Sequence, residues 1–311
     1  MNILITGGSG FVGSYLCEKL INDGHEIIVV DNLLTGSTEN INHLMNNENF
    51  SFIEHDVQNH IEIENKVDYV LHFASAASPK AYTEHPVNTL KAGSVGTINT
   101  LGLAKKHDAE YLLASTSEVY GDPLISPQTE EYWGNVNPNG ERSMYDEAKR
   151  FAEAAVATYS RSYDLKTKIV RIFNTYGPRM QLNDGRVVTN FIVQALKNEN
   201  ITIYGDGSQT RSFSYVEDTV AGIISLMNSS EYDVFNIGNP NEMTVGQLAE
   251  KIIELTDSTS EIKYLELPND DPKQRKPDIT KAKTKLNWEP KVNLEDGLTK
   301  TIKWVEGQLS K

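Results

Sequence analysis

Short apolar runs punctuate the first half of the chain: Ile3–Ile5, Ile27–Val30, Phe50–Ile53, Tyr69–Leu71, Tyr111–Leu113 and Lys168–Ile172. Several are apolar at consecutive positions, as strands covered on both faces are. Stretches with helical spacing lie between most of them, notably near residues 11–22, 87–107 and 144–162. This alternation predicts an α/β fold with a parallel, doubly wound sheet and right-handed crossovers. After about residue 175 the pattern loosens. Pieces of the sheet domain return at Phe213–Met227 and Val234–Ile237, while Thr244–Leu255 and Leu294–Gln308 read as a smaller helical lobe. The expected organisation is a sheet domain over 1–174, with returning segments at about 213–238, and an interleaved C-terminal lobe over 175–311. From Gly121 to Arg142 no period holds, and Pro123, Pro127 and Pro138 interrupt any helix. A structureless stretch of about twenty residues inside a compact domain is uncommon and usually functional.

Length and charge narrow the picture. The 311 residues exceed the roughly 250–300 at which one core stops growing, which fits a large domain with a smaller lobe. No apolar run approaches the roughly 18–20 residues that cross a bilayer, so no membrane span is expected. A strand pattern begins at Asn2, and no signal peptide is expected before it. The net charge of −14 argues against nucleic acid and anionic membranes as partners. An anionic small ligand would need local arginines in such a protein. The lone cysteine, Cys17, excludes an intramolecular disulfide and reads as a buried thiol of the first helix, in keeping with a reducing cytoplasm. No metal is expected.

The first strand runs into Thr6-Gly-Gly-Ser-Gly-Phe-Val-Gly13, where Gly7, Gly10 and Gly13 form G-x-x-G-x-x-G. Without a Cβ the chain turns tightly, and backbone N–H groups can approach a pyrophosphate at a helix N-terminus. A glycine triplet alone is weak evidence; the strand–turn–helix context strengthens it. The second strand ends in Val30-Asp31. A carboxylate there can bind the adenosine ribose diol and repels a 2′-phosphate, so NAD is favoured over NADP. The alternative is a glycine turn with an aspartate that caps a loop. Asp56, after the third strand, is a candidate adenine contact. The expected architecture is therefore Rossmann-type.

Tyr145 and Lys149, in Met144-Tyr-Asp-Glu-Ala-Lys-Arg150, stand at i and i+4 and share a helix face. A free phenol has a pKa near about 10. A neighbouring ammonium and an oxidised nicotinamide both favour phenolate, which could take a proton from a sugar hydroxyl. Tyr-x-x-x-Lys is common by chance and alone suggests a solvated helix face; downstream of a dinucleotide fingerprint it reads as an alcohol-oxidising base. The fifth strand ends in Ala114-Ser-Thr-Ser-Glu-Val-Tyr-Gly121. Ligands of open α/β sheets sit off such ends, which puts Thr116 and Glu118 beside Tyr145. His72, on the fourth strand, reads as a satisfied core residue.

These residues together resemble the extended short-chain dehydrogenase/reductase family, in its nucleotide-sugar branch. Thr116–Asp122, Tyr132–Pro138, Tyr145–Lys149, Arg171–Met180, Asp184–Val188, Gln209–Phe213 and Asp270–Asp278 are similar to the UDP-glucuronate decarboxylases. The resemblance implies an NAD-dependent enzyme that oxidises C4 of UDP-glucuronate, loses CO₂ from the resulting β-keto acid, and regenerates NAD as it forms UDP-xylose. It assigns Tyr145 as base, Lys149 as its support and Thr116 to the C4 oxygen. Glu118 and Arg275 take the decarboxylation and protonation half. For the cofactor it implies Gly7, Gly10, Phe11, Val12, Gly13, Asp31, Asn32, Thr35, Gly36, Asp56, Val57, Ser75, Tyr145, Lys149, Thr175 and Arg186. For the UDP-sugar it implies Lys91, Asn99, Glu118, Tyr145, Asn174, Tyr204, Arg211 and Arg275, with Arg179 a further motif arginine.

Two positions depart from the family pattern. Ala92-Gly93 stands where a threonine and an asparagine are usual, and Ser37 where a basic residue is common. Three rivals remain: a nucleotide-sugar 4,6-dehydratase, a 4-epimerase, and a dinucleotide-sensing module without chemistry. A dehydratase typically has Asp-Glu after the threonine, where this chain has Ser117-Glu118. An epimerase does not call for Arg275 or the Trp133 loop. A sensor usually loses the tyrosine or the lysine. The helices near 87–107 and 144–162 carry small and apolar residues on more than one face, which with the resemblance implies a homodimer.

Overall fold

The structure, a computed structural model, describes residues 1–266 and 274–311. The first part of the chain runs β1 (Asn2–Thr6), α1 (Phe11–Asn22), β2 (Glu26–Asp31), β3 (Phe50–Glu54), β4 (Tyr69–His72), α2 (Pro79–Glu84) and α3 (Pro86–Lys91). A π-helical turn at Ala92–Gly96 leads into α4 (Thr97–His107), β5 (Glu110–Thr116), α5 (Ser143–Tyr163) and β6 (Thr167–Ile172). The second part runs β7 (Thr175–Tyr176), α6 (Val187–Leu196), β8 (Ile201–Tyr204), β9 (Thr210–Ser212), β10 (Ser214–Tyr215) and α7 (Val216–Asn228). It continues with β11 (Val234–Ile237), β12 (Glu242–Thr244), α8 (Val245–Leu255), β13 (Ile262–Leu265), β14 (Gln274–Arg275), α9 (Thr280–Leu286) and α10 (Leu294–Leu309).

Seven strands form one parallel sheet in the order β11-β6-β5-β4-β1-β2-β3. Its strands are the apolar runs read from the sequence. Alternation within β1 shows why both faces are covered. Ile3 and Ile5 join a core that includes Leu16 and Leu20 of α1 and Val216 and Ile223 of α7. Leu4 points to the other face, among Leu101 and Ala104 of α4 and Ala152 and Val156 of α5.

The remaining strands form small sheets: β7 with β10, β8 with β13, and β9 between β12 and β14. None was read from the sequence, because two- to four-residue strands carry too few positions for a period to register. Their placement matters, since β9 and β14 pair Arg211 with Arg275 and bring both to the rim of the large sheet.

Candidate active site

A cavity of about 950 Å³ runs across the carboxyl ends of the sheet strands and is closed from the other side by the C-terminal elements. Its chemistry changes along its length. Asp31, Glu39 and Asp56 line one end; Arg142, Arg186, Arg211 and Arg275 line the other.

The acidic end is built by the glycine turn. Gly7 has φ +73°, and a Cβ there would sit 2.7 Å from the Ala74 nitrogen. A Cβ on Gly13 would lie 2.2 Å from the Gly7 carbonyl oxygen, so helix and turn touch backbone to backbone. Gly10 caps α1 without a side-chain hydrogen bond. Orphan amides of a first helical turn suit an anionic group, and Gly10, Phe11 and Val12 line the cavity there. The Asp31 carboxylate accepts from Ser9 N–H (3.1 Å) and Leu33 N–H (2.9 Å), which fixes it at the end of β2. Asp56 accepts from Asn32 Nδ2 (3.1 Å) and Gln58 N–H (2.9 Å). Thr35, Gly36, Val57 and Ser75 complete this wall. A backbone cradle with room for phosphates, ending in an oriented carboxylate, fits a dinucleotide.

Tyr145, Lys149 and Thr116 meet in the middle. Tyr145 is buried and hydrogen bonds with the Thr116 side chain. Burial pushes its phenol up to about 12, reinforced by the Glu118 carboxylate and opposed by Thr116 and Arg186. Lys149 is also buried, donates to the Ala114 carbonyl (2.9 Å), and is pushed down to about 8 by burial, against the pull of Glu153. Its Nζ lies 5.8 Å from the Tyr145 ring centroid. Burial is the largest influence on the phenol, and the lysine is anchored to the β5 backbone. His72 is a core residue, hydrogen-bonded through Nδ1 to Thr6 Oγ1 (2.7 Å) and held neutral by burial and Lys149, at about 3.

At the basic end, Glu118 is gripped twice on one oxygen. Oε2 accepts from Arg142 Nη2 (2.5 Å) and Arg275 Nη2 (3.1 Å), while Arg275 Nη1 donates to the Ser117 carbonyl. Burial works against the Glu118 charge, yet Arg275 and Arg142 outweigh it and hold the carboxyl below its usual range. Glu118 is thus a carboxylate at rest and holds no proton to give. Nearby Asp146 goes the other way: burial, then Glu118, push it up to about 7.

Asn174, Thr175, Tyr204, Arg186 and Arg211 also line the cavity. Arg186 caps α6, pairs with Asp184 (3.3 Å) and acts on the Tyr145 phenol. Arg179 lines it too, held by Glu18 (2.6 Å).

Two expected substrate residues are not among the cavity-lining residues. Lys91, at the end of α3, is exposed and is not among the lining residues. Asn99 is half-buried and donates to the carbonyls of Val57 (2.9 Å) and Asn59 (3.1 Å), holding the loop after β3. Trp133 is 85% exposed and is not among the cavity-lining residues; its carbonyl accepts from Arg150.

Two residues were missed. Arg142 stands three positions before Tyr145, a helical spacing that could have revealed it. Tyr82 stacks on the Tyr145 ring (5.3 Å, 15°) and lies under the Arg142 guanidinium (5.7 Å); nothing in its local sequence announces this.

The GDP-mannose 4,6 dehydratase family model matches residues 4–301. UDP-glucuronic acid decarboxylase 1 of Xenopus tropicalis is 54% identical over 307 residues, covering 99% of this chain and 72% of the relative. The chain belongs to the extended short-chain dehydrogenase/reductase family of UDP-glucuronic acid decarboxylases. Solved structures of the family share its fold. UDP-glucose 4-epimerase of Thermotoga maritima, with UDP-glucose, has a TM-score of 0.92 at 34% identity, covering 99% of this chain and 100% of that one. UDP-glucuronic acid 4-epimerase of Bacillus cereus, with UDP-glucuronic acid and NAD, has a TM-score of 0.88 at 26% identity, with coverage of 99% and 100%. Both of those structures hold a UDP-sugar.

Proposed function

We propose that the chain decarboxylates UDP-glucuronate to UDP-xylose with NAD as a regenerated cofactor. The supporting observation is that Tyr145 with Thr116, and Glu118 with Arg275, face one cavity whose far end is a dinucleotide cradle. Gly7, Gly10, Phe11, Val12 and Gly13 would hold the pyrophosphate, with Arg186 a further phosphate contact. Asp31, Asn32, Thr35 and Gly36 would hold the adenosine ribose, and Asp56 and Val57 the adenine. Ser75, Thr175 and Lys149 would hold the nicotinamide side. Bound NAD⁺ supplies a reversible acceptor for the hydrogen on C4.

Tyr145 takes the C4 hydroxyl proton, assisted by the positive charge of the loaded site, and Thr116 holds the C4 oxygen. The C4 ketone is β to the C5 carboxylate. When the C5–C6 bond breaks, CO₂ leaves and its electron pair passes to the C4 oxygen, which Tyr145 and Thr116 stabilise as an enolate. Arg275 and Arg211 offer planar donors to carboxylate and phosphate oxygens, and Asn174 and Tyr204 complete the sugar-nucleotide wall. Glu118, ionised at rest, accepts from a water and orients it toward C5; the water gives C5 a proton as the enolate collapses to the ketone, and the hydroxide left behind takes a proton from solvent. Tyr145 then returns its proton to the C4 oxygen as the hydride taken up by the cofactor comes back to C4, which restores the alcohol and the oxidised cofactor.

The test is incubation with UDP-glucuronate and mass spectrometry. CO₂ and UDP-xylose are expected. A C4 epimer that keeps its carboxylate would replace this reading with the epimerase, and tight NAD binding without turnover would replace it with the sensor.

The same reading includes a homodimer. Val87 and Leu90 of α3, Val95 of the π turn, Ile98 of α4 and Phe151 of α5 are exposed apolar residues on packed neighbouring elements. A second copy would cover them. The free, buried Cys17 thiol is in keeping with a reducing cytoplasm, to be checked by fractionation. Among the described residues no helix is long and apolar enough to cross a membrane.

A further inference from the structure

Gln128 lies in the proline-rich loop, is fully buried, and is not among the cavity-lining residues. Its backbone and its side-chain oxygen are nevertheless engaged with the chain segment that carries Arg275, while its side-chain nitrogen braces its own loop. Its N–H donates to the Lys276 carbonyl (2.8 Å), and its carbonyl accepts from Asp278 N–H (2.8 Å). Its Oε1 accepts from Lys276 N–H (2.9 Å), and its Nε2 donates to the Ile125 carbonyl (2.8 Å). The Gln128 carbonyl also accepts from Asn236 Nδ2 (3.0 Å), which reaches the Asp278 carbonyl as well (3.2 Å).

From Asn236 the hydrogen bonds continue toward the base helix. Asn236 Oδ1 accepts from the Tyr120 hydroxyl (2.8 Å), and that hydroxyl accepts from Arg171 Nη1 (2.9 Å). Arg171 clasps Glu153 through two bonds, Nε–Oε1 (2.9 Å) and Nη2–Oε2 (2.7 Å). Glu153 stands one helical turn beyond Lys149 and acts on its charge. Buried polar groups joined this way have one arrangement in which all are satisfied.

We propose that Gln128 is a positioning residue for Arg275: it clips the loop 121–142 to the segment after β14, and so sets the Arg275–Glu118 contact from outside the cavity. This rests on the decarboxylase reading. Loss of the clip leaves the dinucleotide cradle and Tyr145 untouched and lets Arg275 drift. The decarboxylation half of the reaction then slows while C4 oxidation proceeds.

The experiment compares wild type, Gln128→Met and Gln128→Glu under single-turnover conditions with UDP-glucuronate, following nicotinamide absorbance and CO₂ separately. Methionine keeps the volume and removes both polar ends. NAD affinity should stay within about twofold and C4 oxidation persist, while CO₂ release falls about tenfold or more and reduced nicotinamide builds up. A protonated glutamate keeps an acceptor for Lys276 N–H and a donor for the Ile125 carbonyl. Gln128→Glu should therefore regain CO₂ release as pH is lowered, a response that simple destabilisation would not produce. Equal loss of both half-reactions, or unchanged CO₂ release in Gln128→Met, overturns the proposal while the wild-type reaction stands. Absence of CO₂ from the wild type overturns the decarboxylase reading and this inference with it.

Discussion

Tyr145 carries two opposing influences, a buried setting that keeps its proton and a reaction that must remove it. Burial raises the phenol to about 12, and charge that accompanies the cofactor would favour its ionisation. Tyr145→Phe should slow C4 oxidation by about a hundredfold to ten-thousandfold and leave NAD affinity unchanged; stopped-flow absorbance and calorimetry measure the two. Arg275→Ala should instead leave oxidation measurable and suppress CO₂ release. Asp146 offers a pH test. Its folded pKa of about 7 lies above the unfolded value of about 3.9, so the folded state holds more protons across that window. The stability it contributes is complete below the unfolded pKa and is lost as pH rises through about 7. Asp146→Asn should therefore raise the melting temperature near about pH 8 and make little difference below about pH 4, as thermal melts across pH would show. Tyr145, Lys149, Thr116 and Glu118 were legible because their spacing follows helix and strand-end geometry. Arg275 was legible only through resemblance, since some 157 positions separate it from Glu118 and no local period connects them. Tyr82 and Gln128 left no trace for the same reason.

Among the elements, the contact between the π turn and α5 is the tightest control on the base. A Cβ on Gly93 would lie 2.7 Å from Ala148 Cβ and 3.3 Å from the Ala148 backbone, and Ala148 precedes Lys149. Gly93→Ala should cost about 1–3 kcal/mol through overpacking and reduce turnover by displacing the lysine. Adding Ala148→Gly removes the opposing methyl and should recover part of both losses, as melting temperature and kcat measured on the two variants would reveal. The departure noted at Gly93 therefore has a packing role that composition could not disclose. The strands of the large sheet were readable because burial on both faces writes continuous apolar runs. The lobe's short strands were not, and neither was the exposure of Lys91, because a helix pattern gives spacing and not which stripe faces a ligand.

For the whole molecule, the exposed apolar residues of α3, α4 and α5 form one surface that the sheet does not cover. Phe151 is 46% exposed on α5, while Ala152 and Ala155 beside it are buried against the sheet. Phe151→Asp tests the proposed homodimer: wild type should sediment as a dimer and the variant as a monomer in analytical ultracentrifugation, with the variant's melting temperature lowered. The charge pattern has a similar reach. The protein is acidic overall, yet Arg142, Arg211 and Arg275 gather around Glu118 in the cavity, and that polarity was legible only as a requirement. The order in which the sheet is assembled has a consequence for biosynthesis. β11 pairs with β6, but some sixty residues of lobe emerge from the ribosome between them. A nascent chain that stops short of Val234 presents β6 as a bare hydrogen-bonding edge, open to other strands. Premature termination in that interval should yield chaperone clients and aggregates, not a smaller working domain.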